Sequence, residues 1–409
     1  IQGYGIPAAS ISSNKWADIS DGEGAQWKVV RAARWASSAN HIYGRNVTSS
    51  ETWTWLHSPS FRATPLDMKA EADVHFLQGI NQLIGHGWAY TPPYVEYPGW
   101  RFYAAGEYSD RNPWWIAMPD LAKYLQRMSY LMRQGQPSND VALYLPNADA
   151  YSHFTAGKVH LIDADRDLVG EKIMPSLFDA GFNLDFFDDP VLNEIGSVRG
   201  RELVLGSSRH RAIVLPGIER IPLESMRKIE EFARAGGVVI AARRLPSTVP
   251  GVSATQAQQD ELKAIVQQTF GGAYPTAKLV AADEDVGRVL ATLVQPDVAI
   301  APATTGFGSV HRKLADADVY FIANTTNRKH NARLTFRTNG GRADLFDPMT
   351  GQMQGLASVP AASGRMAELE FEPYQSRVVV FSQGSAVSTA AVKPQPAPEA
   401  IDLNTGWTI

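Results

Sequence analysis

Strand-like and helix-like stretches alternate along the first third of the chain, which predicts a parallel sheet. The segments IQGYG, NVTSSETW and INQLIGHG have strand composition, and each is followed by a helix-like stretch. The second helix has the clearest start, because Thr64, Pro65 and Asp67 place a proline in its first turn. Three strand–helix units predict that residues 1–137 are the C-terminal part of a (β/α)₈ barrel, with its earlier strands expected upstream of Ile1.

The rest of the chain shows two further patterns. Residues 138–274 alternate hydrophobic strands with amphipathic helices, which predicts a doubly wound, flavodoxin-like α/β domain. Residues 275–383 contain short alternating runs separated by turn residues, which predict an antiparallel β-sandwich. Residues 384–409 are predicted to be a linker and the start of a further β domain. The fold class is therefore α/β plus β.

Composition and charge narrow the class of function. The 409 residues are 44% hydrophobic and 20% charged, which is typical of a globular protein. A net charge of −4 without a basic block argues against binding to nucleic acid or to an anionic membrane surface. No apolar run approaches the roughly 20 residues that span a bilayer. The absence of cysteine excludes disulfides, zinc–thiolate sites and thiol nucleophiles.

One predicted rim of the barrel gathers a carboxylate, a histidine and many aromatic residues. Functional residues of such barrels lie at the carboxyl ends of the strands, which is where Glu51 and His86 fall. The aromatic residues predicted to contact substrate beside them are Trp53, Trp55, Trp88, Tyr90, Trp100 and Trp114. A carboxylate beside stacked aromatic rings is the composition of a glycosidase pocket. Alternatively, Glu51 is a solvated strand end, His86 is a buried histidine bonded to backbone, and some tryptophans belong to the core.

Three further acids, Asp18, Asp21 and Glu23, fall in the loop that is predicted to follow the first strand. Carboxylates with neutral oxygens suit a hard cation such as calcium, whereas no histidine pair of the kind found in transition-metal hydrolases is present. Each acid could instead cap the helix predicted to begin at Val29. The residues alone leave both interpretations open.

The succession of motifs resembles glycoside hydrolase family 106, the α-L-rhamnosidases. The motifs are ADISDGE, SSANHIYG, SSETWTW, GINQLIGHGWAYTP, PGWRFYAAGEY and RNPWW, while DVALYLPNAD and ADLFDPMTGQ fit the accessory domains of that family. The resemblance implies an inverting glycosidase for rhamnose-containing oligosaccharides or glycosides, with Glu51 as the general base. It also implies a calcium ion that holds the sugar hydroxyls, and a general acid in the upstream part of the same polypeptide. A periplasmic or secreted location is expected.

Two other functions remain open at this stage. One is another barrel glycosidase, such as a retaining β-galactosidase-like enzyme, which would need two carboxyls about 5–5.5 Å apart and an upstream acid. The other is a non-catalytic carbohydrate-binding fragment that uses the aromatic rim alone.

Overall fold

The N-terminal part of the computed structural model is a three-stranded parallel sheet with helices between its strands. The structure describes residues 11–56, 61–103, 106–153, 155 and 160–384, so the predicted IQGYG strand and the predicted β domain at the C-terminus lie outside the described residues. The elements are β1 (Ser20–Glu23), α1 (Ala32–Ile42), β2 (Thr48–Thr52), α2 (Pro65–Leu77), β3 (Gln82–Gly85) and α3 (Met118–Met132), with 3₁₀ turns at Ser12–Trp16 and Pro113–Ala117. The strands pair in the order β1-β2-β3. That they complete a barrel stays a prediction.

The observed start of α2 agrees with the sequence prediction, whereas the observed start of α1 differs from it. At α2, Thr64 and Asp67 form a reciprocal capping box in front of Pro65, as the start signal predicts. The first helix begins at Ala32 rather than Val29. Its N-cap residue, Arg31, is extended, and no side chain caps the helix. The alternative that Asp18, Asp21 or Glu23 caps this helix is therefore wrong.

The acidic segment predicted as a loop is strand β1, which corrects the positions of Asp21 and Glu23. A Cβ at Gly22 would lie 2.4 Å from the Cα of Ala33, so α1 packs against β1 at a distance that only glycine permits. Small residues replace the hydrophobic ones that normally identify a strand. The two acids lie on alternate positions of β1, opposite the face that α1 covers.

The middle of the chain forms a five-stranded parallel sheet between helices. The strands of that sheet are β5 (Val141–Tyr144), β6 (Leu184–Phe187), β10 (Ala212–Leu215), β11 (Val238–Ala242) and β12 (Ala277–Val280). The same region also contains β4 (Gln136–Pro137), β7 (Gly196–Arg199), β8 (Glu202–Leu205) and β9 (Ser208–His210), which belong to other sheets. Its helices are α4 (Asn147–Ser152), α5 (Leu161–Val169), α6 (Ile173–Asp179), α7 (Asp189–Ile195), α8 (Leu223–Arg234), α9 (Gln256–Gln268) and α10 (Val286–Leu293), with short helical turns at Thr269–Ala273 and Asp283–Asp285. The sheet order β12-β11-β10-β5-β6 is the 2-1-3-4-5 order of flavodoxin-like folds.

Two elements of this region differ from the sequence prediction. The hydrophobic run LVLG (residues 203–206) is predicted to be one of the strands of the doubly wound domain, but it lies in β8, which pairs with β7 and β9 in a separate antiparallel sheet. The fifth parallel strand, β12, lies after residue 274, where the sequence predicted the end of the region. The first difference arises because a short hydrophobic run does not reveal which strand it pairs with. The second arises because the two central residues of the edge strand β12 are exposed, so the strand lacks a continuous hydrophobic run.

Two antiparallel sheets face each other in the C-terminal part. The strands are β13 (Val298–Ala301), β14 (Phe307–Lys313), β15 (Ala317–Asn324), β16 (His330–Phe336), β17 (Arg342–Phe346), β18 (Met353–Gly355), β19 (Val359–Ala361), β20 (Gly364–Phe371) and β21 (Ser376–Ser382). They form a four-stranded sheet, β13-β16-β20-β19, and a six-stranded sheet, β18-β17-β21-β15-β14-β4. Tyr320, Phe336 and Phe381 lie in the core between the sheets. On the other face of β15, Phe321 packs edge-on against Phe76 of α2 with ring centroids 6.0 Å apart. None of the helices described is long and apolar enough to span a bilayer.

A buried imidazole within the sandwich is positively charged at neutral pH. His311 is 5% exposed, its Nδ1 lies 3.1 Å from the Asp297 carboxylate, and its Nε2 lies 3.0 Å from Asp318 Oδ1. Burial alone would lower the pKa of His311, but Asp297 and Asp318 outweigh burial and raise this pKa to about 9.

We expect this histidine to make the protein less stable as pH rises from about 6.5 through 9. The folded pKa lies above the ordinary value of 6.5, so the stabilisation is complete below pH 6.5 and is lost as the pH passes the folded value. The contribution is on the order of 3 kcal/mol at acidic pH. Thermal denaturation at pH 6, 7.5 and 9.5 should show that His311→Gln narrows its gap to wild type as pH rises. The half-exposed His153→Gln is the control, and a gap that stays constant with pH would contradict the assignment.

Candidate functional site

The carboxyl ends of β2 and β3 bring Glu51 and His86 together. The His86 Nδ1 atom lies 2.8 Å from Glu51 Oε1, and both side chains are about one quarter exposed. Thr54, which the sequence did not single out, donates its hydroxyl to the same oxygen at 2.6 Å and lies 3.0 Å from His86 Nδ1. The pairing of Glu51 with Glu23 on one side and Ile84 on the other aligns the three strand ends. The result is a partly solvated carboxylate held by a hydroxyl and an imidazole.

The turn after β2 explains how Thr54 reaches this carboxylate. Trp53 adopts a left-handed conformation with φ 64°, which is strained for a residue with a side chain. Its indole is 4% exposed, donates to the carbonyl oxygen of Met68 at 2.9 Å and packs on Tyr108. Gly85 leaves space for the ring, since a Cβ there would lie 3.1 Å from it. Trp53 thus packs in the core with its faces covered by protein, which favours the alternative that some of the tryptophans belong to the core, while the predicted contact of Trp53 with substrate stays a prediction.

Trp55 forms part of the wall of a cleft of about 330 Å³ that Glu51 also lines. The indole Nε1 of Trp55 donates to one carboxylate oxygen of Glu71 on α2, and the other oxygen accepts the backbone N–H of Trp53 at 2.6 Å. Gly106 leaves room for the Trp55 ring, which a Cβ would approach to 2.7 Å. Glu71 therefore fixes the plane of a ring that faces the cleft.

Besides Thr54, sequence reasoning missed three ionisable residues of this cleft: Arg31, Glu71 and His75. His75 Nε2 lies 3.7 Å from Glu71, four residues earlier on the same face of α2. That i, i+4 acid–histidine pair was a signal available in the sequence. Arg31, in contrast, precedes a helix and carries no local pattern that marks it.

The remaining aromatic residues lie on the long segment after His86. Trp88, Tyr90 and Trp100 are 57%, 68% and 52% exposed, outside the residues that line the cleft. Trp114 is partly buried, and its Nε1 donates to the carbonyl oxygen of Ala63 at 2.6 Å. Their contact with substrate stays a prediction.

Phe102, which the sequence did not single out, packs edge-on against the His86 imidazole with ring centroids 4.8 Å apart. Glu107 holds this part of the segment, because its Oε1 accepts the backbone N–H of Phe102 at 2.5 Å. Burial raises the pKa of the Glu107 carboxyl. This pair therefore packs the aromatic segment against the imidazole that binds Glu51.

The predicted metal ligands do not form a complete site by themselves. Asp18 is exposed, Asp21 Oδ1 accepts the Ser49 hydroxyl at 2.6 Å, and Glu23 lines the cleft. Over the described part of the chain, no three acidic or histidine side chains are placed to hold a metal ion together. A calcium ion bound here would need ligands in addition to these three residues.

Comparisons with known proteins agree on the broad class. The model of glycoside hydrolase family 106, described as alpha-L-rhamnosidase, matches residues 6–358. The structure of a rhamnosidase from Novosphingobium sp. PP1Y is similar with a TM-score of 0.72 and 19% identity, over 94% of this chain and 37% of that one. A GH42 exo-carrageenase from Bacteroides ovatus is similar with a TM-score of 0.53 and 12% identity, over 86% of this chain and 44% of that one.

A curated protein of Formosa agariphila, provisionally named a beta-glucuronidase, is 22% identical over 377 residues. These residues are 89% of this chain and 30% of that protein. The chain thus spans about a third of the length of the curated protein and of the rhamnosidase structure, at 30% and 37%. At these identities the likeness to the solved structures shows a common fold alone.

Proposed function

The chain belongs to glycoside hydrolase family 106, and from this premise we propose that it serves the inverting hydrolysis of terminal α-L-rhamnosides, with Glu51 as the general base. The observation that carries the proposal is the carboxylate of Glu51 at the end of β2, held by Thr54 and His86 beside a cleft. A fixed and partly solvated carboxylate is what proton abstraction from water requires. The other residues of the cleft then serve to bind and orient the sugar.

In this mechanism Glu51 accepts a proton from the water that attacks the anomeric carbon. Thr54 and His86 fix the orientation of Glu51 Oε1, so the carboxylate does not have to reorganise as charge moves. An inverting enzyme also needs a general acid, usually about 6.5–9.5 Å from the base. Glu71 is bonded to two tryptophan N–H groups and is better suited to positioning Trp55. The location of the acid upstream of Ile1 stays a prediction.

A panel of nitrophenyl glycosides tests this proposal on the full protein. We expect the highest kcat/KM with the α-L-rhamnoside. Preference for the β-D-glucuronide would favour the activity in the name of the Formosa agariphila protein, and preference for the β-D-galactoside would favour the retaining alternative. No turnover of any glycoside, with retained sugar binding, would favour a carbohydrate-binding role.

Replacing Thr54 by valine should lower kcat about tenfold or more, because a hydrogen bond to the charged Glu51 is lost while the side-chain volume is kept. KM should change little, since Thr54 acts through Glu51. Thr54→Ser keeps the hydroxyl and should retain most of the activity. A loss in Thr54→Ser equal to that in Thr54→Val would show that packing rather than the hydrogen bond matters.

We further propose that calcium supports activity, on the weaker ground that Asp21 and Glu23 lie on one face of β1 near the cleft. Carboxylate oxygens are ligands that calcium prefers. Exhaustive dialysis against a chelator should lower activity, and calcium rather than zinc should restore it. Full activity after dialysis would contradict the proposal that calcium supports activity.

A further inference from the structure

Arg31 places a positive charge on the wall of the cleft that also holds Glu51. Among the described residues, its guanidinium makes no hydrogen bond and no ion pair, and its Nε is buried without a partner. The carboxylates of Glu51 and Glu71, which line the same cleft, are already bonded to Thr54, His86 and the two tryptophans. Arg31 is therefore a cation of the cleft that no described protein group bonds directly, and Glu23, which lines the same cleft, attracts it without forming an ion pair.

The backbone conformation at Arg31 directs its side chain into the cleft. The residue is the extended N-cap of α1, with φ −143° and ψ 153°, so its side chain leaves the helix rather than running along it. The aliphatic part crosses Gly24, where an added Cβ would lie 3.0 Å from Arg31 Cδ. Gly24 itself has φ +102°, a conformation that favours glycine. Both residues thus combine to hold the guanidinium at the cleft.

The groups around Arg31 offset the positive charge of its guanidinium only in part. Burial is the largest cause that lowers the pKa of Arg31, and the nearby Arg166 adds to it. Glu23 and Asp163 oppose the shift from a distance. A guanidinium remains charged in proteins, so the cost of its desolvation persists until an anion binds. Anions with two adjacent oxygens suit it best, because a guanidinium donates two parallel hydrogen bonds to the oxygens of a carboxylate or of a tetrahedral oxyanion such as a sulfate ester.

We propose that Arg31 binds an anionic group, a carboxylate or a sulfate ester, on the glycan that occupies this cleft, and that the preferred substrates are acidic rhamnosides. The inference rests on the proposed function, because it assumes that the glycan beside Glu51 contains rhamnose. Rhamnose itself is neutral, so the charge belongs to a neighbouring uronic acid or to a sulfate substituent. Arg31 is a specificity-determining residue in this arrangement, and Glu51 remains the base.

Binding measurements on the Glu51→Gln variant of the full protein test the inference without turnover. The ligands are a rhamnosyl-uronic acid disaccharide, its neutral methyl ester, and a sulfated rhamnoside with its unsulfated counterpart. We expect at least one anionic ligand to bind about tenfold or more tightly than its neutral match, as for a charged hydrogen bond. Whichever anionic ligand binds more tightly than its neutral match, the uronic acid disaccharide or the sulfated rhamnoside, identifies the anionic group that Arg31 binds.

Adding Arg31→Gln should remove this preference and leave the neutral ligands nearly unchanged. Arg288→Gln, which removes an exposed arginine of α10 instead, should keep the preference. Equal losses for charged and neutral ligands, or no preference in the presence of Arg31, would overturn the inference. Because the readout is binding, a protein that binds acidic rhamnosides but hydrolyses a different glycoside would contradict the proposed function and not the role of Arg31.

Discussion

The Glu51→Gln variant is expected to lose 10²–10⁴-fold in kcat while its affinity for the sugar changes little. The amide keeps the shape of the side chain and can still accept the hydrogen bond from Thr54 that the structure shows at 2.6 Å. It cannot accept the proton of the attacking water, and positioned proton transfer contributes about 10²–10⁴-fold. Steady-state kinetics and equilibrium binding of rhamnose on the full protein measure the two quantities separately.

Glu96→Gln is the matched control for this variant. Glu96 is exposed on the segment after His86, so it tests the loss of one surface carboxylate near the site without touching the base. We expect its kcat to stay within about twofold of wild type, since surface substitutions are usually mild. If Glu51→Gln kept more than about a tenth of wild-type kcat, Glu51 would not be the base.

Replacing Trp53 by alanine should cost about 3–5 kcal/mol in the free energy of unfolding, as for other buried aromatic side chains. The indole is 4% exposed and packs on Tyr108, so its removal leaves a cavity beneath the strand end that carries Glu51. Denaturant unfolding gives the change in stability.

Trp88→Ala is the control for Trp53→Ala, because the Trp88 side chain is 57% exposed. It should lower stability by less than about 1 kcal/mol. The same variant should weaken sugar binding if Trp88 contacts substrate. Similar losses of stability in the two tryptophan variants would contradict the assignment of Trp53 to the core.

The sequence predicted those parts of the site that local chemistry determines. Thr64 and Asp67 mark the start of α2 through a capping box, which involves only neighbouring residues. Glu51 and His86 were expected at strand ends, and parallel pairing of β2 with β3 brings them into contact. Both predictions depend on features that a few consecutive residues encode.

Other parts of the site depend on contacts between distant segments and could not be predicted from a few consecutive residues. The sequence SSETWTW does not distinguish the buried Trp53 from the cleft-lining Trp55, because the left-handed backbone at Trp53 breaks the strand alternation. The strand β1 has no hydrophobic signal because α1 packs so closely that Gly22 is required. Arg31 can be identified as a candidate only from the three-dimensional structure, because both its position in the cleft and its lack of a hydrogen-bond partner depend on the fold.

The stereochemistry of hydrolysis tests the central claim, a general base at Glu51, most directly. Proton NMR of the full protein acting on a nitrophenyl α-L-rhamnoside resolves the anomer that is released before mutarotation. A base that activates water on the face opposite the leaving group must produce β-L-rhamnose first. Initial release of α-L-rhamnose would mean a covalent intermediate and a nucleophile, and would contradict the role assigned to Glu51.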